Sequence, residues 1–217
     1  MQMKINGRRV LMSLCGVIIC AVAVGFFKKA NYGVDPFQSL MSGLDRLIPI
    51  PFGTLYVIVN VILLTFSLVF NRHNIGIATF INMFLLGYIT QFTLEALDTW
   101  IPAPGTVLRI LFLGIGIVVI CIGGALYMTA DLGVSTYDSV AITMADKWKW
   151  GKFQYIRIAT DAVCVVLGTV LYLLGGGTWA EVPGIVGVGT IITAFFMGPL
   201  IEFFNVRIAR PLLKNEP

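Results

Sequence analysis

Charged residues are scarce in this sequence of 217 residues. Only 12% of the residues are Asp, Glu, Lys or Arg, and 58% are hydrophobic, whereas an average soluble domain carries about 25% charged residues. A water-soluble fold of this size has too little interior to remove that much apolar surface from water. Lipid is therefore the expected solvent for much of the chain, which indicates an integral membrane protein.

Several kinds of reactive site are also absent from the sequence. His73 is the single histidine, and the four cysteines lie in apolar runs without a Cys-x-x-Cys pair, so neither a zinc site nor a disulfide framework is expected. No His-Glu-x-x-His, Gly-x-Ser-x-Gly or phosphate-binding loop occurs, and the acidic residues are dispersed along the chain. We therefore expect no enzyme activity, no catalytic residues, no metal and no cofactor.

Six apolar stretches are each about twenty residues long, which is the length a helix needs to cross the roughly 30 Å hydrocarbon core of a bilayer. Short segments rich in Gly, Pro and Asn separate them. The first stretch lacks a small-residue cleavage site, so we interpret it as a retained helix and not as a signal peptide. The predicted spans are 10–30, 53–70, 75–97, 107–130, 153–174 and 184–206.

Basic residues are distributed unequally between the two sides of these spans. Six spans place both termini on one side, and that side collects eleven basic residues against four on the other. Because cytoplasmic loops carry an excess of Lys and Arg, we expect both termini in the cytoplasm. Scattered in this way, the basic residues form no stripe for nucleic acid. The eleven are Lys4, Arg8, Arg9, Arg72, Lys147, Lys149, Lys152, Arg157, Arg207, Arg210 and Lys214; the four are Lys28, Lys29, Arg46 and Arg109.

The sequence resembles itself at two offsets. A shift of 100 positions aligns residues 30–39 with residues 130–139, and a shift of 111 aligns residues 76–79 with residues 187–190. Two matches in the same order, with glycine and polar positions in register, indicate an internal duplication. We expect a single membrane domain, 1–217, with a first repeat at 8–98 and a second at 107–208.

Each predicted repeat has three spans, an odd number, so the second repeat begins on the opposite side of the membrane and the repeats are inverted. Inverted repeats related by a pseudo-two-fold axis in the membrane plane are frequent in secondary transporters, whose substrate sites lie near the midplane. The expected fold is an all-α polytopic membrane protein: six transmembrane helices in two inverted three-helix repeats, each with an additional short interfacial or re-entrant helix. This likeness in architecture does not by itself establish transport.

A polar segment follows the first span of each repeat. Gly33 and Gly133 are expected to form left-handed helix caps, after which Asp35 and Ser135 provide side-chain caps for a short second helix. Such a helix either lies at the interface or dips into the membrane. One interpretation is that its N-terminus faces a solute cavity; the other is an ordinary amphipathic connector. The substrate-binding candidates in these segments are Asn31, Asp35, Gln38, Ser39, Asp131, Ser135, Asp138 and Ser139.

Asp161 lies about eight residues into the fifth span, where a carboxylate is costly. Arg157 precedes it by four residues, the spacing at which two helical side chains meet. The two residues therefore form a structural pair, or Asp161 serves a substrate or a proton relay; we add Asp161 to the substrate-binding candidates. The further cavity candidates are Asn60, Thr79, Gln91, Arg157, Thr190 and Glu202, for several of which helix packing, or snorkelling in the case of Glu202, is the competing interpretation.

The segments Ala-Asn-Tyr-Gly-Val-Asp-Pro at 30–36 and Ala-Asp-Leu-Gly-Val-Ser-Thr-Tyr-Asp at 130–138, with Val-Gly-Thr-Ile-Ile at 188–192 before Gly198-Pro199, resemble the YczE/YyaS/YitT group of bacterial integral membrane proteins. The likeness is greatest to the YczE branch and covers nearly the whole chain. It implies a location in the bacterial cytoplasmic (inner) membrane, and it carries over no catalytic residues.

These features favour a small-solute transporter or permease that works by alternating access between two inverted halves. The alternatives are an accessory or regulatory membrane protein and a substrate-capture subunit of a separate energising complex; an intramembrane enzyme is the least expected. The expected partners are the lipid bilayer and a small solute, with a homodimer as an open alternative and no nucleic acid. We expect the two short helices and Asp161 to border one polar cavity.

Overall fold

A computed structural model describes residues 6–213 of the chain, which are helical with no strand among them. Six helices are long and apolar enough to cross a membrane, as the sequence predicts. Lys4 and Lys214, counted above among the basic residues, lie outside the described residues. The long helices are α1 (Gly7–Ala30), α3 (Phe52–Asn71), α4 (Ile77–Trp100), α5 (Thr106–Ala130), α7 (Phe153–Leu174) and α9 (Val188–Phe204).

Shorter helices complete the chain. A 3-10 turn at Arg72–Asn74 links α3 to α4, and π-helical turns extend α6 and α9 over Thr143–Lys147 and Asn205–Ala209. We refer to α1–α4 as the first half and to α5–α10 as the second half. The shorter helices are α2 (Pro36–Leu47), α6 (Thr136–Ile142), α8 (Val182–Ile185) and α10 (Arg210–Leu213).

Helices α1 and α5 pack against each other at the centre of the bundle and run in opposite directions. A Cβ atom added to Gly16 would lie 2.7 Å from the backbone nitrogen of Tyr127, and one added to Gly123 would lie 2.8 Å from that of Cys20. Small residues at such a crossing let membrane helices approach closely. Around this pair, α4 packs on α1 and α3, while α9 packs on α5.

The short helices α2 and α6 each pack on a long helix of the other half. Helix α2 runs beside the last part of α7, because a Cβ on Gly168 would lie 2.5 Å from the Ser39 carbonyl oxygen and one on Gly175 would lie 2.8 Å from that of Arg46. Helix α6 packs on α3, where the Thr136 hydroxyl donates to Asn60 Oδ1 at 2.5 Å. The two short helices therefore tie the halves together.

Two boundaries differ from the sequence-based expectation. The left-handed caps of α1 and α5 are Asn31 (φ 57°) and Asp131 (φ 51°), two residues before the predicted glycines. The predicted cap positions were wrong because the short polar side chains of Asn and Asp also tolerate this conformation. The last long helix begins at Val188 and not at residue 184, because Gly187 is extended and its N–H donates to Thr190 Oγ1 at 3.2 Å.

Candidate functional site

The segment after α1 packs on the segment before α9. We call this contact, residues 31–35 against residues 184–190, the first junction. Its backbone hydrogen bonds run from Val34 N–H to the Ile185 carbonyl at 3.3 Å and from Gly189 N–H to the Tyr32 carbonyl at 2.7 Å. Gly33, at φ 94°, has no room for a side chain, since an added Cβ would lie 2.7 Å from Thr190 Oγ1.

The segment after α5 packs on the segment before α4 in the same way. We call this contact, residues 131–135 against residues 74–79, the second junction. Val134 N–H donates to the Asn74 carbonyl at 3.1 Å, and Ala78 N–H donates to the Leu132 carbonyl at 3.1 Å. A Cβ added to Gly133, at φ 117°, would lie 2.9 Å from Thr79 Oγ1. The two junctions therefore share backbone conformation, hydrogen bonds and a threonine cap.

The two junctions lead into helices that begin inside the bundle. Asp35 Oδ1 accepts from Gln38 N–H at the start of α2, and Ser135 Oγ accepts from Asp138 N–H at the start of α6. Asn60, which contacts the start of α6, lies eight residues into α3, or about 12 Å along its axis, and eleven residues before its end. The start of α6 is therefore far from both ends of α3.

An aromatic pair joins the starts of the two short helices. The rings of Phe37 in α2 and Tyr137 in α6 stack with centroids 4.9 Å apart and an interplanar angle of 21°. Both residues are buried, and they are aligned with each other by the shift of 100. Offset stacking of this kind adds about 0.5–1.5 kcal/mol beyond the burial of area, so it holds the two helix starts together.

A group of three charged side chains lies beside this stack. We call Asp138 of α6 and Arg157 and Asp161 of α7 the ion triad. The Arg157 guanidinium pairs with Asp138 Oδ1 through Nη1, and its Nε lies 3.2 Å from Asp161 Oδ1. The side chains are 36%, 26% and 12% exposed for Asp138, Arg157 and Asp161, respectively. One guanidinium thus holds two carboxylates in a partly buried setting, where unpaired charge is costly.

Further hydrogen bonds fix the ion triad in place. The Tyr137 hydroxyl donates to Asp161 Oδ1 at 2.6 Å, and the Ser135 hydroxyl donates to Asp138 Oδ2 at 2.6 Å. The Arg157 guanidinium carbon also lies 4.4 Å from the centroid of the Tyr137 ring, within the range of a cation–π contact. Tyr137 therefore contacts Phe37, Arg157 and Asp161 together.

Neutral polar residues lie around the same helix starts. Asn60 accepts from Thr136 and donates from Nδ2 to the Tyr56 carbonyl at 2.7 Å, and the Tyr56 hydroxyl donates to Asn82 at 3.3 Å. Two buried polar atoms in the first turns of α2 and α6, Gln38 Oε1 and Ser139 Oγ, have no hydrogen-bond partner among the described residues. Unpartnered buried polar atoms are uncommon in proteins and ask for an explanation.

The comparisons with known proteins point to one family. The "Family of unknown function (DUF6198)" matches residues 7–206. The chain belongs to this family. The assignment agrees with the helical membrane architecture and with the predicted likeness to the YczE/YyaS group.

Individual relatives cover most of the chain. The chain is 23% identical over 200 residues to "Uncharacterized protein YyaS" of Bacillus subtilis, covering 92% of this chain and 94% of that one. It is 26% identical over 192 residues to "Uncharacterized membrane protein YczE" of the same organism, covering 87% and 81%. An uncharacterized protein of Haemophilus influenzae is 30% identical over 138 residues, covering 63% and 56%. No solved structure matches the chain.

The predicted site residues of this family member fall into three groups. Ser135, Asp138, Arg157 and Asp161 meet at the ion triad, with Asn60 nearby through Thr136. Ser39, Thr79 and Thr190 bond across the junctions or cap them; the Ser39 hydroxyl, for example, donates to the Ile185 carbonyl at 2.7 Å. The remaining candidates are Asp35, which caps α2; the buried Gln38 and Ser139; the exposed Asn31 and Asp131; Gln91, which accepts from Gly53 N–H; and Glu202, which pairs with Arg210 at 2.6 Å.

Two open clefts lie away from the ion triad. One, of about 380 Å³, is lined by Asn31, Ser42, Asp45 and Tyr172 among others. The other, of about 540 Å³, is lined by the end of α3, the turn after it, and Asp146 and Lys147. Neither lining includes a residue of the ion triad, so the single polar cavity bordered by both short helices and Asp161 stays a prediction.

Two aromatic residues of this site had no predicted role. Phe37 and Tyr137 lie in the segments aligned by the shift of 100, but neither is among the predicted site residues. The ion pair between Asp138 and Arg157 was not predicted either. The two residues are 19 positions apart and lie in different helices, so the spacing of side chains along one helix does not indicate the contact. An aromatic residue repeated directly after a helix cap in both halves was the available signal.

Proposed function

We propose that the protein is a small-solute transporter of the bacterial inner membrane, built from two inverted repeats and working by alternating access. The observation that carries the proposal is the pair of junctions, which have matching hydrogen bonds and meet through the Phe37–Tyr137 stack. Inverted repeats whose broken helices converge near the midplane are a recurring transporter design. The short helices α2 and α6 are, in this proposal, re-entrant.

The ion triad supports the same proposal. Charged residues at depth are rare in membrane proteins and mark solute or ion pathways more often than they serve packing. In this proposal, rearrangement of the junctions opens the triad alternately to each side of the membrane, and the solute binds beside Asp161. The protein is not an enzyme in this proposal, since its sequence has no His-Glu-x-x-His, Gly-x-Ser-x-Gly or phosphate-binding loop.

The proposed orientation places both ends of the chain in the cytoplasm. It is supported by the eleven-to-four distribution of basic residues. Fusing a reporter that is active only in the periplasm to either terminus should give no activity. Activity at one terminus would contradict the even number of spans, and activity at both would reverse the orientation.

Transport is tested with the purified full-length protein reconstituted into liposomes. A metabolite library is first screened for compounds that raise the melting temperature, since a ligand that prefers the folded state stabilises it. Compounds that do so are then tested for uptake, with Asp161→Asn and Glu202→Gln as the site variant and the matched acid-to-amide control. Uptake that Asp161→Asn abolishes and Glu202→Gln retains supports the proposal; binding without uptake favours the substrate-capture or accessory alternative.

A further inference from the structure

The ion triad carries a surplus of negative charge. Two carboxylates, Asp138 and Asp161, share the single Arg157 guanidinium. A third carboxylate, Asp35 at the start of α2, is close enough to interact electrostatically with both Arg157 and Asp161. Lys28 also interacts electrostatically with Asp35, so the surplus of negative charge rests on the two carboxylates that share Arg157, in surroundings where such charge is poorly screened.

The unpartnered polar atoms at the same place favour a hydrogen-bond donor. Gln38 Oε1 can only accept, and its side chain is 3% exposed. Gln38 follows the Asp35 cap by three residues, and Ser139, whose buried hydroxyl has no partner among residues 6–213, directly follows Asp138. An amide oxygen that lacks a donor, in the same helical turn as the Asp35 carboxylate, is suited to N–H groups and not to an anion.

Arg157 itself shows which shape of cation fits. Its planar guanidinium is held by two carboxylates from different helices and lies over the Tyr137 ring at 4.4 Å. The Phe37 ring also stacks on the Tyr137 ring, with centroids 4.9 Å apart. Planar guanidinium groups match carboxylates and stack on aromatic faces better than ammonium groups do.

We propose that Arg157 is a tethered stand-in for the solute, and that the site binds a small organic cation of the guanidinium class, which displaces the Arg157 guanidinium from Asp138 and Asp161. This inference rests on the proposed transport function, since it names the substrate class of that site. Exchange of one guanidinium for another keeps the hydrogen bonds of Asp138 and Asp161 satisfied. Because Arg157 stays in the protein, the bound solute adds one positive charge and offsets the surplus of negative charge at the site.

The test compares methylguanidinium with N-methylurea, an uncharged molecule of nearly the same shape. The full-length protein in detergent is heated with millimolar concentrations of either compound, well below the molar range in which guanidinium unfolds proteins. Methylguanidinium should raise the melting temperature of the wild type in a saturable way, and N-methylurea should not. Equal effects of the two compounds, or no effect of either, would overturn the inference.

Removing the tethered competitor sharpens the test. Arg157→Ala should lower the half-saturating concentration of methylguanidinium by roughly tenfold or more, because a tethered group competes at a high effective concentration. Arg210→Ala, which removes the guanidinium of the exposed pair with Glu202, is the matched control and should leave that concentration unchanged. If Arg157→Ala does not fold, Asp138→Asn provides the second measurement, and it should raise the half-saturating concentration. An unchanged concentration in the folded variant contradicts the inference.

Uptake into liposomes separates this inference from the function on which it rests. Methylguanidinium that binds but is not taken up contradicts transport and leaves the cation site standing. Uptake of an anionic or neutral solute that does not compete with methylguanidinium contradicts the cation site and leaves transport standing.

Discussion

The two halves of the bundle have nearly the same junctions but different charge. Both junctions place a glycine at positive φ against a backbone segment, and both use a threonine to cap the next long helix. At the ion triad, by contrast, every charged residue of the second half is matched by a neutral residue of the first half. The shift of 100 matches Gln38 with Asp138. Alignment of the first residues of α3 and α7, Phe52 and Phe153, matches Tyr56 with Arg157 and Asn60 with Asp161.

This difference separates the requirements of the scaffold from those of the chemistry. A junction needs particular backbone angles and close approach, so glycine and threonine recur wherever the chain makes one. A charged site near the middle of a bundle is costly to keep. The ion triad is present in the second half alone, while both halves carry the junctions.

Breaking a junction should have the largest effect. Gly33→Ala and Gly133→Ala should each lower the free energy of unfolding by about 2–5 kcal/mol, the sum of left-handed strain and overpacking. Thermal or denaturant unfolding in detergent measures the loss. Gly114→Ala is the control, because no atom lies within 4 Å of its added Cβ, and it should leave stability unchanged or slightly raised. A large loss at one junction and none at the other would contradict their equivalence.

Replacing a charged residue of the ion triad by its neutral counterpart in the first half should abolish uptake, with a smaller loss of stability than a junction variant. Asp161→Asn introduces the residue found at position 60 and removes the charge of one of the two carboxylates that hold Arg157, which should lower the free energy of unfolding by about 1–3 kcal/mol. Uptake should be lost. Asn60→Ala, which removes the hydrogen bond to Thr136, should cost a similar amount but retain uptake. Normal uptake by Asp161→Asn would remove the functional distinction between the halves.

The aromatic pair allows a finer test. Tyr137→Phe introduces the residue of the other half, keeps the stack and removes the hydrogen bond to Asp161 and the weaker one from the Cys164 thiol, which should cost about 1 kcal/mol. Phe37→Tyr is the reciprocal exchange, and it has no carboxylate hydrogen bond to lose. The change in melting temperature should therefore differ between the two variants, in sign or in size. Equal decreases would mean that both substitutions disturb the stacking and that the hydroxyl has no separate effect.

The smallest effect is expected at Glu202, which aligns with Gln91 of the first half. Its pair with Arg210 is more than half exposed on both sides, and exposed pairs are worth about 0–1 kcal/mol. Glu202→Gln should thus change the melting temperature little and leave uptake intact. Loss of uptake in this variant would show that a second acidic site outside the ion triad takes part in transport.

The sequence was sufficient to predict the six long helices, because apolar length is a property of each segment alone. It also indicated the two repeated segments, since the match at a shift of 100 includes the glycines and the helix caps. The sequence did not show which segments these two repeats contact. The hydrogen bonds of Val134 with Asn74 and of Val34 with Ile185 join distant residues through backbone atoms, so they do not depend on particular side chains.

The candidate site was predicted only in part for the same reason. Arg157 and Asp161 were paired by helical spacing, and they do meet. Asp138 was predicted as a lining residue, but its pairing with Arg157 depends on how α6 is placed against α7, which is set by the second junction. The predicted glycine caps were wrong by two residues, since both Asn31 and Gly33 adopt positive φ and composition does not tell which of them ends the helix.

The junctions have a consequence for how the protein is made. The Gly33 and Val34 N–H groups and the Tyr32 carbonyl find their hydrogen-bond partners at residues 184–189, so this part of the backbone after α1 has to wait for most of the chain to leave the ribosome. Until then these three groups must be shielded by water, lipid headgroups or the insertion machinery. A chain released early, before α9 has been synthesised, would keep that exposed segment, which gives membrane quality control a feature by which to recognise incomplete copies.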